Sequence, residues 1–388
     1  MVLIVIIVAL GIDIYIYTIL NRRCKSSVPA IIQIVTALLL YLLMAVAVAM
    51  PRMTGGDTIL RAIMWMLFGF SSVLIAKVIF VIFDLISTEI NRTIGKKNIA
   101  ISWMGAILGL TVFVLMWWGA LLNRFHYNVN EIEVEIPNIP QSFDGYKIVQ
   151  ISDLHVGTFG NDTTFTSRLV REVNALQPDL IVFTGDIVNR HSPELLPHVK
   201  TLAGLSARHG VYSILGNHDY GDYSRWPDED AKRSNMEQLY QLQADMKWKL
   251  LLNEHVWLHC GADSIALIGV ENVGDPPFHT YGSLPRAYAT PGDSAVKILL
   301  SHNPAHWNAD IADNDTMNIA LTLSGHTHAM QMSVMGMSPA AIRYKTWGGL
   351  YTDTSGKHTL YVNIGAGTVG IPMRLGATPE ITLITLRR

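Results

Sequence analysis

Four apolar runs fill the first 125 residues, at about 1–20, 30–50, 59–85 and 99–122. A helix that crosses a bilayer needs about 20 mostly apolar residues. Lipid offers no partner to an open backbone N–H or C=O, so runs of this length and composition must fold as helices. Polar punctuation separates them at 21–29, 51–56 and 91–98. The first basic residue, Arg22, follows the first run instead of preceding it, so that run reads as a retained helix and not as a cleaved signal peptide.

Basic residues set the expected orientation. Arg22, Arg23 and Lys25 occupy the first connector, and Arg92, Lys96 and Lys97 the third. The second connector carries Arg52, with Arg61 just beyond it, and Arg124 follows the fourth run. By the positive-inside rule the first and third connectors face the cytoplasm, and four crossings then place the rest of the chain outside it. A multi-pass protein of a bacterial inner or plasma membrane, with an extracytoplasmic catalytic domain, is expected. Two charges inside the runs, Asp13 and Lys77, read as an ion pair, or Lys77 as snorkelling to the interface, since isolated charges are costly there. Trp117, Trp118, Phe125 and Tyr127 read as an interfacial aromatic belt.

The overall charged fraction of 15% averages two unlike parts. Residues 1–125 carry 10 Lys+Arg and 4 Asp+Glu, a formal charge of +6; residues 126–388 carry 19 and 27, a formal charge of −8, and all 14 histidines. Two domains follow, a transmembrane domain at 1–125 and a catalytic domain at 126–388. An acidic domain lacks the basic surface that nucleic acid requires, so no nucleic-acid partner is expected. Histidine enrichment points to metal chemistry. Cys24 and Cys260 are too few for a disulfide framework or a thiolate zinc site.

Five short apolar runs in the second part each end in a polar cluster. The run 146–151 leads into Asp153 and His155, and 180–183 into Gly185 and Asp186. The run 211–215 leads into Gly216, Asn217, His218 and Asp219; 296–300 leads into His302; 319–323 leads into Gly325, His326 and His328. Sheet enzymes build their sites at the carboxyl ends of strands. Any one cluster would pass as a turn or a helix cap. Five in succession, each closing a strand, do not. The donors are carboxylate, imidazole and amide oxygen without thiolate, a set suited to Mn, Zn or Fe. They outnumber the needs of one ion. A shared carboxylate and two ions, about 3.5–4 Å apart, would clamp an in-line displacement at phosphorus.

This set of motifs resembles the calcineurin-like metallophosphoesterase superfamily across nearly all of 140–388. The closing stretch, with Gly370-Ile371-Pro372-Met373-Arg374 and Pro379-Glu380-Ile381, is similar to the membrane-anchored, YkuE/YaeI-like bacterial branch. The resemblance implies an α/β catalytic domain of four αββα layers behind a four-helix transmembrane domain. It implies two divalent ions: Asp153, His155 and His328 on the first, Asp186 bridging, and Asn217, His302 and His326 on the second. His218 would contact the phosphate and serve the leaving oxygen, and Asp219 would orient His218. Arg374 would pair with a phosphate. Two departures from the family pattern, Asn189 for an acidic residue and Ala329 for glycine, remove no ligand.

The expected reaction is hydrolysis of a phosphate ester by hydroxide generated at the two metals. An anchored enzyme suits a lipid-linked phosphate among membrane lipids, with soluble phosphoesters as the alternative. A cytoplasm-facing pyrophosphatase for a UDP-sugar lipid and a non-catalytic metal-binding sensor or transporter are the competing readings. The segment 220–258 reads equally as a substrate-facing cap or as a connecting helix. The run Gly365-Ala366-Gly367 precedes Pro372 and no helix, so it reads as a turn and not a nucleotide loop.

Overall fold

A computed structural model describes residues 2–52, 56–95, 98–276, 278–288, 295–314 and 316–388. Lys96 and Lys97, on which the expected orientation partly rests, lie outside the described residues. The chain divides into two units, Met1–Leu121 with Ile371–Met373, and Leu122–Gly370 with Arg374–Arg388.

The first unit is built on four helices, α1 (Val2–Arg23), α2 (Val28–Ala49), α3 (Asp57–Ile94) and α4 (Ala100–Leu121). All four are long and apolar enough to span a membrane. Helix α3 runs past its expected end at 85 because nothing from 86 to 94 breaks it. It stops at Gly95, at φ 70°, whose N–H donates to the Asn91 carbonyl. Helices α3 and α4 meet at Gly105 and Gly109, where a Cβ on Gly109 would lie 2.6 Å from the Ala76 carbonyl oxygen.

Charges in the spans are paired. Lys77 Nζ lies 2.7 Å from Asp13, and Gln33 and Tyr41 donate to the same carboxylate, each at 2.6 Å. The sequence reading passed over Asp84 in the third run. Its buried carboxylate takes both terminal nitrogens of Arg23, at 2.5 and 3.2 Å, and the Tyr15 hydroxyl at 3.0 Å. An unmet carboxylate in lipid costs about 3 kcal/mol on insertion scales. Each acid is therefore met by a base and by neutral donors. Trp117 departs from the belt reading: it packs among Trp65, Phe68 and Phe113 and donates to Ser72, whereas Trp118 stays exposed.

The second unit is a pair of six-stranded sheets. Its strands are β1 (Asn128–Glu135), β2 (Lys147–Ile151), β3 (Leu180–Phe183), β4 (Val211–Ser213), β5 (Trp248–Leu250), β6 (Glu254–Cys260), β7 (Asp263–Gly269), β8 (Lys297–Leu300), β9 (Ile319–Ser324), β10 (Gly349–Thr352), β11 (Thr359–Val362) and β12 (Glu380–Arg387). One sheet runs β1-β12-β2-β3-β4-β5, the other β10-β11-β9-β8-β7-β6. The helices are α5 (Thr164–Ala175), α6 (Val199–Leu202), α7 (Glu229–Asp245) and α8 (Leu284–Tyr288).

Period-two alternation assigns each strand residue to a layer. Ile148, Leu180, Val182 and Tyr212 point inward and meet Leu267, Ile298, Leu300, Leu321 and Leu323 of the opposite sheet. Their neighbours Val149, Ile181 and Phe183 point outward, onto Leu169 and Val173 of α5 and Leu239 and Leu242 of α7. Ile268 and Leu299 pack outward on the other side with Leu284, Trp307 and Ile311. Helices thus flank two stacked sheets, a four-layer αββα sandwich. Parallel strands buried on both faces explain why the runs are continuously apolar.

Helix α7 is the crossover between the parallel neighbours β4 and β5, capped by Asp228 accepting from Ala231 N–H. Leu239 and Leu242 bury it on the sheet, so the helix is a connector and not a cap. Strand β12 inserts between β1 and β2. It runs parallel to β1 from Asn128↔Glu380 to Glu135↔Arg387 and antiparallel to β2.

Candidate metal centre

The five polar clusters sit directly after β2, β3, β4, β8 and β9, and the two sheets bring them together. Backbone bonds tie the loops to one another. Asp153 N–H donates to the Gly185 carbonyl at 2.9 Å and Gly325 N–H to the His302 carbonyl at 2.9 Å. The approach is tight enough to require glycine: a Cβ on Gly325 would lie 2.0 Å from Ser152 Oγ.

Five of the predicted site residues sit at positive φ: Asp153 at 55°, His155 at 46°, Asp186 at 60°, His326 at 75° and His328 at 51°. Left-handed backbone costs a non-glycine residue about 1–2 kcal/mol. That strain is held by the interloop bonds, and it turns successive side chains toward one point. Ala329 also sits at positive φ, 50°.

Two groups result, and Asp186 belongs to both. Asp153, His155, Asp186 and His328 form one; Asp186, His302 and His326 form the other; ligand atoms within each lie no more than 4.8 Å apart. His155 Nε2 lies 3.1 Å from His328 Nε2, and His328 Nε2 lies 3.1 Å from Asp153. His302 Nε2 is 3.2 Å from Asp186 and 3.2 Å from Asn217 Oδ1, which brings Asn217 to the second group. His302 Nδ1 donates to the Thr184 carbonyl at 2.7 Å, so Nε2 is the ring atom that faces inward. Converging lone pairs and two buried carboxylates make a poor packing core and a good cation site.

Charges within the group offset one another. Burial works against a carboxylate at Asp153, but His328 more than offsets it and holds Asp153 well below the usual range. Burial pulls His302 down, yet Asp186 and then Asp153 raise it to about 9. Burial, and then the charge on His302, push His326 down to about 3.

His218 lies beside both groups without joining either. Its ring meets His155 edge-on at 4.8 Å and stacks on Tyr223 at 4.2 Å. Its Nδ1 donates to the Asn189 carbonyl at 2.6 Å, so Nε2 is the nitrogen left for chemistry. Asp219 therefore does not orient His218, contrary to the sequence expectation. Its fully buried carboxylate instead accepts the backbone N–H groups of Asp186 (2.8 Å), Ile187 (2.9 Å), Val188 (3.2 Å) and Gly216 (2.9 Å). Burial, and then Asp186, push Asp219 up to about 7.

Arg374 is likewise corrected. It is fully buried and donates to the carbonyls of Gly367 (2.7 Å), Ile364 (2.8 Å), Gly365 (3.0 Å) and His328 (3.1 Å). The turn 364–367 leaves several carbonyls open in the interior, and a guanidinium fork satisfies them together. It cannot also reach a phosphate. The same turn lies along the end of β2, with Gly367 N–H donating to the Asp153 carbonyl at 2.8 Å.

Aromatic side chains that the sequence did not mark surround the second group. Phe278 meets His326 edge-on at 4.9 Å, and the Tyr344 hydroxyl lies 3.1 Å from His326 Nε2. Asn217, Tyr223, Asn272, Phe278, His279 and Tyr281 line an adjoining cavity of about 230 Å³. The segment 278–281 is Phe-His-Thr-Tyr, and that local aromatic density was the available signal.

Comparison with known proteins agrees with this geometry. Residues 146–330 match the family described as calcineurin-like phosphoesterase. Residues 1–124 match the probable calcineurin-like phosphoesterase transmembrane domain. A Bos taurus "Transmembrane protein with metallophosphoesterase domain" is 30% identical over 79% of this chain and 68% of its own. The Bacillus subtilis "Uncharacterized metallophosphoesterase YkuE" is 32% identical over 64% of this chain and 82% of its own. The Chlamydia muridarum "UDP-2,3-diacylglucosamine pyrophosphatase LpxG" is 26% identical over 73% of this chain and 97% of its own.

Proposed function

Since this membrane protein belongs to the calcineurin-like metallophosphoesterase family and is a metal-dependent phosphoesterase, we propose that it hydrolyses a lipid-linked phosphate ester. The observation that carries the reading is the pair of buried ligand groups sharing Asp186 where both sheets end. Asp153, His155 and His328 would hold one divalent ion, Asn217, His302 and His326 the other, with Asp186 between them. Bound there, the ions supply Lewis acidity that activates water and neutralises charge on the phosphoryl oxygens.

The chain's own residues do the rest. The interloop bonds fix the ligand side chains, so little reorganisation accompanies reaction. His218, with Nδ1–H held by Asn189, presents Nε2 to the substrate. Water oxygen bonds to phosphorus as the ester P–O bond breaks; His218 Nε2 gives its proton to the leaving oxygen, and the proton released by the attacking water passes to solvent, from which His218 is reprotonated. Tyr223, stacked on His218, limits rotation of the ring. The aromatic cavity beside His326 would take the leaving group.

Four helices long and apolar enough to span a membrane tether the chain to a bilayer, which supports a lipid-linked substrate. The name of the Chlamydia relative, a pyrophosphatase for a diacylated sugar nucleotide, points the same way. The first connector, with Arg22, Arg23 and Lys25, supports an extracytoplasmic catalytic domain in a plasma membrane.

The test is hydrolysis by the full-length chain, loaded with Mn, Zn or Fe, of phosphomonoesters, diesters and pyrophosphates in soluble and lipid-linked forms. Preference for a lipid-linked phosphate is expected, with His218→Asn losing about 10²–10⁴-fold in rate while still binding metal. Cleavage of soluble esters alone would overturn the substrate assignment.

A further inference from the structure

We propose that residues 330–342 form a lipid-contacting hairpin that seats the second unit on the bilayer surface beside its metal-binding groups. The segment reads Met-Gln-Met-Ser-Val-Met-Gly-Met-Ser-Pro-Ala-Ala-Ile and contains no charge. Its large apolar side chains face solvent: Met335 is 94% exposed, Ile342 90%, Met337 72% and Val334 57%. Single exposed apolar residues are ordinary, but several crowded on one uncharged loop mark an interaction surface.

The exposure is built in. Val334 and Met337 exchange backbone bonds at 2.8 and 3.0 Å around a two-residue turn. Met335 and Gly336 both have positive φ, 52° and 77°. Such turns favour asparagine or aspartate at their first position. Methionine there is unfavourable for the backbone and for solvation alike, so folding does not account for it. The base of the hairpin is fixed: Ser333 N–H donates to the Leu375 carbonyl at 2.8 Å, and Leu375 N–H to the Gln331 carbonyl at 3.0 Å.

The occupant follows from chain connectivity and charge. Asn123 comes just after α4, which ends at Leu121, and lies inside the candidate span Ala100–Phe125. Its side chain donates to the Arg374 carbonyl at 2.9 Å and to Thr378 at 3.2 Å. Arg374 and Leu375 are adjacent, so the residue at which the chain leaves its last spanning helix is bonded to the stretch that anchors the hairpin. Arg343, which also bonds Asp275, and Lys345 follow the segment and are exposed. Apolar tip and basic flank match the acyl boundary and the anionic headgroups of a bilayer.

The consequence for chemistry rests on the lipid-linked reading above; the immersion itself does not. The segment begins two residues after His328 and ends two residues before Tyr344, which touches His326. A seated hairpin would hold both ligand groups at headgroup height, so that an acylated phosphoester reacts without leaving the bilayer.

Nitroxide labels on the full-length chain test this in nanodiscs of phosphatidylcholine and phosphatidylglycerol. Met335→Cys and Ile342→Cys are labelled in a Cys24→Ser background, with Glu254→Cys as the aqueous control; Cys260 is buried. Labels at 335 and 342 should relax with dissolved oxygen and be shielded from an aqueous nickel chelate, and the control the reverse. Labels that follow the nickel chelate overturn the proposal. So do labels shielded from both and broadened by a second spin, which would mean that a second copy covers the patch. The double variant Met335→Asp/Ile342→Asp should lose at least about tenfold on a bilayer-embedded phosphoester while keeping its rate on p-nitrophenyl phosphate. An equal loss on both substrates would count against it. A parent protein that cleaves neither would sink the phosphoesterase reading and leave the quenching result to decide this one.

Discussion

The carboxylate of Asp219 accepts the backbone N–H of Asp186 at 2.8 Å, so the residue shared by both ligand groups is held in place by an acid from the next loop. Ile187, Val188 and Gly216 donate to the same carboxylate. Asp219→Asn turns one acceptor oxygen into a donor facing these amides. An unsatisfied buried group costs about 1–3 kcal/mol. Metal affinity, read by titration of the chelator-stripped chain, should fall about 10–100-fold. An unchanged affinity with a lowered kcat would restore the view that Asp219 serves His218.

Arg374 behaves as a clamp on the turn 364–367. Arg374→Lys keeps the charge but loses the fork, so it should rescue little of the stability lost in Arg374→Met. Loss of about 3 kcal/mol or more is expected for Arg374→Met, since several buried carbonyls are left open at once. Thermal unfolding with and without substrate separates the possibilities. A raised KM at unchanged stability would return Arg374 to the phosphate.

Asp13 and Lys77 make a pair that can be dissected in the bilayer. Asp13→Asn and Lys77→Met should each destabilise the first unit. The double variant should recover most of the loss, because neither charge is then left without its partner. Unfolding in mild detergent reads the cycle. Additive losses would mean that the two side chains act separately.

His306 predicts an acid limb. It is buried, and desolvation pushes its pKa from 6.5 down to about 4. A depressed folded-state value means the residue contributes its full share above 6.5, and that share is lost as pH falls toward 4. The difference corresponds to about 3 kcal/mol. The stability gap between the parent and His306→Asn should therefore narrow from pH 7 toward pH 4, measured by thermal unfolding of the full chain. A gap independent of pH would show that His306 is not held neutral by its surroundings.

What the sequence made legible was local. An apolar run closing in Asp, Asn or His can be read residue by residue, and each of the five marks a true strand end. Ile148 and Val149 differ only in parity, yet parity alone sends one between the sheets and the other under α5. Helix length in the spans was readable as well, except where a run stays helical after it stops being apolar, as α3 does from 86 to 94. The roles of Asp219 and Arg374 were not legible, because their partners are backbone groups brought near by other loops. A carboxylate that orients an imidazole and one that ties amides together look alike in sequence. The aromatic wall of Phe278 and Tyr344 was missed for the same reason: both come from irregular segments and meet at His326 only in the folded chain.

The placement of β12 bears on how such a protein is made. A strand far along the chain, β12, fills a slot between β1 and β2. A chain lacking β12 would leave β1 without its partner and β2 with a bare ladder edge, which other chains can pair with. Closing this sheet therefore waits on a strand made long after its neighbours. Molecules lacking β12 would carry an open edge that quality-control proteases can find, so a defect within β12 should lower the amount of protein before it alters the chemistry.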